Sequence, residues 1–134
     1  RGFALVLSIL AVVLIGALIV ATHVAVTLEH SVASASIARQ RAFAASEHGL
    51  WSSVSAWDST NSALYPGQSR NRVVRAGSDS SVVTTVRLGE RTFWVMSESN
   101  VDNARRRTAL NVRQVTDSAG PRVEPVARSW VELH

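Results

Sequence analysis

Four histidines, His23, His30, His48 and His134, are the side chains best suited to metal or acid–base chemistry. His23 and His30 stand seven apart, two turns along one helix face, a spacing that suits a pair of metal ligands. No third ligand follows at a matching interval, and Glu29 falls off that face, so neither a metal nor a cofactor is expected. Glu47-His48 invites an acid–base reading, but no nucleophile stands in a recognised context. There is no Gly-x-Ser-x-Gly elbow, no phosphate-cradling glycine loop and no His-Glu-x-x-His. The chain has no cysteine, which excludes disulfides, thiol catalysis and a Cys-based zinc site. The expectation is a protein that is not an enzyme.

The arginines form the other chemical group. All 14 basic residues are arginine, against ten acids. Arg105, Arg106 and Arg107 are consecutive, and Arg70, Arg72 and Arg75 form a second cluster. With Trp94 nearby they could hold nucleic acid through phosphate contacts and base stacking. The competing reading is ion pairing with acids on adjacent chains, where arginine's planar fork also excels. From Glu29 onward 13 arginines face the ten acids, a modest excess for a dedicated DNA binder. Trp51, Trp57, Trp94 and Trp130 read as core or interface residues.

The elements that must carry these groups begin with an apolar run. Gly2 to Leu28 contains no Asp, Glu, Lys or Arg. As a helix it would span about 40 Å, enough to cross a hydrocarbon layer of about 30 Å. Apolar on every face, it must be covered all round, by lipid or by identical neighbours. A single-pass anchor, a packed filament helix and a cleaved signal peptide compete for this segment, though a signal's apolar region is normally shorter. Residues 29–57 continue without proline and with one glycine. Ala35, Ala38, Ala42 and Ala45, then Leu50, Val54 and Trp57, recur at helical spacing, with Phe43 two turns before Leu50. One helix from about Phe3 to about Trp57 is expected, apolar throughout its first half and amphipathic in its second. A simple anchor does not need to run without a linker into a packing helix; a filament subunit does.

Two segments carry a family resemblance. Arg1-Gly2-Phe3-Ala4-Leu5-Val6-Leu7 resembles the processing site of type IV pilin-like proteins, in which a basic residue and glycine precede the cut and phenylalanine becomes the new N-terminus. Arg39 to Leu50, with Ala44-Ala45-Ser46-Glu47-His48-Gly49-Leu50, is similar to the Ala-Ala-Glu-x-Gly-Leu segment of PilX-type minor pilins. The family's usual acid is replaced here by Leu7, as in some tip or minor subunits, and its usual helix proline is absent. The resemblance implies processing between Gly2 and Phe3, with Phe3, Leu7, Leu14, Gly16, Leu18 and Val24 in a filament-core helix. It also implies partners: other pilin or type II secretion pseudopilin subunits, the inner membrane, a prepilin peptidase and an assembly platform. The subunit would be held in the bacterial inner membrane before joining a cell-surface or periplasm-spanning filament. A DNA-binding competence pilin and a non-polymerising anchored periplasmic domain are the alternatives.

Beyond the helix the period changes. Residues 58–72 read as a turn-forming connector, with Pro66-Gly67 at its centre. Residues 81–88 and 91–98 alternate as strands, and Gly89-Glu90 suits a two-residue type II′ hairpin loop. That register sets Val86 opposite Phe93 and Thr84 opposite Val95, with Thr85 meeting Trp94 and Val83 meeting Met96 on the other face. Thr108 to Val115 reads as a third strand with Leu110 and Val112 inward. Arg72 to Ala76 suits a short edge strand, and the Pro-interrupted tail from Val123 to Leu133 suits a final one. The expected fold is α+β, a pilin-like lollipop with a long N-terminal helix on a small antiparallel sheet. Residues 1–28 form the apolar half and 29–134 the head, divided into 29–57, 58–72 and 73–134. Phe43, Leu50, Val54, Trp57, Val86, Phe93, Val95, Leu110 and Val112 are the expected head-packing residues.

Overall fold

The computed structural model describes residues 2–117 and 120–133. Arg1 of the processing motif and His134 lie outside the described residues. The chain divides into two compact units, Arg1–Ser36 and Ile37–His134. Helix α1 is assigned without interruption over Gly2–Ser55, as the absence of proline and the persistent helical spacing require. In the first unit its large apolar side chains are exposed, including Phe3, Leu7, Leu14, Leu18 and Val24.

The second unit is α+β. A one-turn helix α2 (Ser59–Ser62) interrupts the expected connector, capped by Asp58, whose carboxylate accepts from the Asn61 N–H at 2.8 Å. An antiparallel sheet follows, with β1 (Ser69–Ala76), β2 (Asp79–Arg87), β3 (Thr92–Val101), β4 (Ala104–Asp117) and β5 (Gly120–Pro125) in sequential order. A short β6 (Val131–Leu133) also pairs with β4. Between β5 and β6 the Ser129 hydroxyl accepts from the Asn111 N–H at 3.1 Å, so a side chain keeps the β4 backbone satisfied where no strand lies beside it.

The core is a cluster of Leu50, Val83, Phe93, Val95, Leu110, Val112 and Val123, with Val54, Trp57 and Val74 packed against it. Trp57 meets Phe93 edge-on at 5.0 Å and donates its indole N–H to Ser62 Oγ. Along residues 38–53 the buried helix positions are mostly small: Ala38, Ala42, Ala45, Ser46, Gly49 and Ser53. Gly49 allows the closest approach. A Cβ added there would lie 1.9 Å from Ser81 Oγ and 2.7 Å from Ser97 Oγ. Ser53, Ser81, Ser97 and Thr108 bury hydroxyls that find no hydrogen-bond partner among the described residues.

The β2–β3 hairpin differs from the expected one by a single residue. Val86 pairs with Trp94, Arg87 with Phe93, Thr85 with Val95 and Thr84 with Met96. Because side chains alternate, this slip moves Val86 to the half-buried outer face and brings Val83 and Thr85 inward beside Phe93 and Val95. The loop therefore runs over residues 88–91, not Gly89-Glu90 alone. A type II′ turn needs positive φ at its glycine, and Gly89 is not among the positive-φ residues. The loop is gathered instead by the Arg87 guanidinium, which donates to the carbonyls of Gly89 and Glu90. The same side chain reaches Ser62 O at 3.1 Å and Leu64 O at 2.5 Å, and lies 5.4 Å from the Phe93 ring centre.

The two neighbouring hairpins use tighter turns. Gly77, with φ +63, opens the Gly77-Ser78 turn between Ala76 and Asp79. Asp102 and Asn103, at φ +48 and +67, have the two positive angles of a type I′ turn. As a result β3 and β4 run almost to the turn, with only Asp102 and Asn103 between them. Phe43 packs within the second unit but away from its core. It is half-buried and packs edge-on against Trp130 at 6.4 Å, outside the core cluster.

Candidate functional site

The feature with the clearest physical demand is the apolar face of α1 in the first unit. Sixteen large hydrophobic residues between Phe3 and Leu28 are exposed, from 50% at Leu7 and Val24 to 77% at Phe3. At roughly 1.5–3 kcal/mol for each such side chain buried, leaving them in water forfeits tens of kcal/mol. The segment is long and apolar enough to cross a membrane. Its hydroxyl side chains turn back onto their own helix. Ser8 donates to Ala4 O, Thr22 to Ile19 O and Thr27 to His23 O, each at 2.8–2.9 Å, so none brings an unsatisfied hydroxyl to an apolar surrounding. Around Gly16 a Cβ would meet nothing within 4 Å, which leaves a notch in the helix surface.

The arginines of the second unit are mostly engaged within the chain. Arg41 forks onto Asp79, with Nη2 at 2.6 Å and Nε at 3.1 Å, and reaches Asp102 at 3.3 Å. The hydrogen bond and charge of Asp79 raise its pKa above the ordinary value. Arg70 pairs with Asp58 at 3.1 Å. Burial alone would raise the pKa of Asp58, but the Asn61 N–H, Arg70 and Arg72 together hold it below the usual carboxylate range. Arg122 pairs with Glu124 at 3.3 Å.

The triplet Arg105-Arg106-Arg107 lies on β4, so its members alternate between faces. Arg105 reaches Glu98 at 2.7 Å, and Arg107 lies 4.0 Å from the same carboxylate. Arg106 points to the opposite face, where it meets Glu132 at 3.1 Å. Glu98 raises the pKa of Arg105. The strand therefore separates the cationic patch that adjacency in sequence suggests, and the acids it uses belong to this chain. Trp94 is half-buried on the outer face, across from Asn111.

The remaining candidates are dispersed. His23 and His30 are exposed on α1, and His48 lies 3.3 Å from Ser52 Oγ. Among the described residues no group of three or more His, Cys, Asp or Glu side chains is placed to hold a metal. Leu50, Trp57, Phe93, Val95, Leu110 and Val112 all join or border the core, and Val54 packs on it. Arg87 is the structural residue that sequence reasoning passed over. Its position at the end of an apolar strand, before Leu-Gly-Glu, is the signal that was available. Comparison with protein-family models, with curated proteins and with solved structures finds no match.

Proposed function

We propose that this chain is a structural subunit of a type IV pilus-like filament, held in a membrane by α1 until its apolar surface is taken over by neighbouring subunits. The observation that carries this reading is the uninterrupted Gly2–Ser55 helix. Its first half is apolar on every face, and its second half presents small residues to a sheet within the second unit. A helix already satisfied by lipid loses little on transfer to a bundle of like helices, because both surroundings are apolar. Transfer then costs little, and contacts made by the head decide which neighbours are accepted. The Gly2-Phe3 junction and the Ala44–Leu50 segment supply the family resemblance. Leu7 in place of an acid favours a minor or tip position.

The test is mass spectrometry of the mature N-terminus from the native membrane. A chain beginning at N-methylated Phe3 is the expected result; a chain still carrying Arg1-Gly2 would favour a non-polymerising anchor. A nucleic-acid role draws less support, because Arg105, Arg106 and Arg107 alternate across β4 and each lies within ion-pair distance of an acid.

A further inference from the structure

The two ends of the sheet differ in a way that bears on partners. At one end β5 carries Pro121 and Pro125, and β6 is three residues long. Proline lacks the N–H that an added strand must use, so this end resists extension. At the other end β1 pairs, among the described residues, with β2 alone, through eight consecutive residue pairs from Ser69↔Val86 to Ala76↔Asp79. It contains no proline, glycine or bulge. Alternate residues of such an edge turn both N–H and C=O away from the sheet, ready to continue the ladder.

The side chains narrow the choice of partner. Val73 is 64% exposed and stands opposite Val82, 44% exposed, on the outer face. The other face of β1 carries Arg70 and Arg72, and Arg75 lies two residues beyond Val73. The strand has three arginines and no acid. Arg70 is held by Asp58, whereas Arg72 and Arg75 form no ion pair among the described residues. Charge on an edge strand normally deters pairing, but charge of one sign deters only strands of the same sign.

We infer that β1 is a docking edge for an extended strand of another protein in which acidic and apolar side chains alternate. Added beside β1, such a strand lays its apolar set along Val73, which Val82 backs from β2, and its carboxylates along Arg70 and Arg72. Main-chain hydrogen bonds supply affinity, and the alternation supplies specificity. A second copy of β1 does not fit, because each copy brings three arginines and neither brings an acid. This inference does not depend on filament assembly.

The test uses the full chain in detergent micelles with two synthetic peptides of about eight residues, a typical strand length. One alternates Glu and Val, the other Lys and Val. Amide hydrogen exchange is followed by NMR. The Glu–Val peptide is expected to slow exchange at alternate β1 amides about tenfold, an effect that weakens as salt rises. The Lys–Val peptide should leave these amides unchanged, and Arg72→Glu, which reverses the charge on the face that meets the carboxylates, should reverse the preference. Equal protection by both peptides overturns the inference. So does the absence of protection with Glu–Val in the unmodified chain, or concentration-dependent protection of β1 without any peptide.

Discussion

Replacing Gly49 with alanine sets two well-measured effects against each other. In a helix interior alanine is favoured over glycine by about 1 kcal/mol, so propensity alone would stabilise the variant. The structure opposes this gain, because the new methyl would lie 1.9 Å from Ser81 Oγ, 2.7 Å from Ser97 Oγ and 3.1 Å from Ser81 Cβ. Rotating one hydroxyl does not resolve all three contacts, and Ser81 and Ser97 are 2% and 0% exposed. Overpacking of this kind costs about 1–3 kcal/mol. The expected net change is destabilisation by about 1 kcal/mol, which lowers Tm by roughly 4–8 °C in a domain of this size.

A thermodynamic cycle isolates the cause. The Ser81 and Ser97 hydroxyls have no hydrogen-bond partner among the described residues, so Ser81→Ala with Ser97→Ala sacrifices no bond there and should be nearly neutral. In that background Gly49→Ala should lose most of its penalty, giving a coupling of about 1–2 kcal/mol. Thermal unfolding of the full chain in detergent, followed by near-ultraviolet circular dichroism, measures both. A rise in Tm for Gly49→Ala alone, or additivity across the cycle, would refute the close-approach argument.

Arg87→Lys should destabilise the second unit by roughly 2–3 kcal/mol in urea titration, since one ammonium cannot serve four carbonyls spread over residues 62–64 and 89–90. Asp58 is held below its ordinary pKa, so its stabilisation is complete above about pH 4 and is lost as pH falls through the lower folded value. Asp58→Asn keeps a capping oxygen but should flatten that acid limb in stability-versus-pH measurements. Gly16→Ala should leave filament incorporation intact and stabilise the helix by up to about 1 kcal/mol, because its Cβ meets nothing to offset alanine's propensity. Gly16→Arg places a charge within the apolar segment, costs about 3 kcal/mol in a membrane and should abolish filament incorporation, scored by immunogold microscopy.

Much of this architecture is written in local pattern. The charge-free run from Gly2 to Leu28 and the lack of proline through Trp57 dictate a long helix, because nothing in that stretch breaks the ladder and nothing polar forbids an apolar surrounding. Alternation identified β2, β3 and the centre of β4, including inward Leu110 and Val112. These are short-range properties, set by the side-chain period of each element.

Register and pairing were decided elsewhere. Gly89-Glu90 satisfies the composition of a two-residue turn, yet Arg87 draws the loop carbonyls to itself, lengthens the loop and exchanges the faces of Val86 and Val83. Three consecutive arginines suggest one cationic patch, but a strand sends neighbours to opposite faces, and Glu98 and Glu132 arrive from β3 and β6. The small residues from Ala38 to Ser53 show a helical period, whereas the approach they permit at Gly49 exists only once Ser81 and Ser97 stand opposite. Periodicity is a property of one segment and is legible in it. Hydrogen-bond partners and close contacts join residues tens of positions apart, and their energies become defined only when the sheet has brought those residues together.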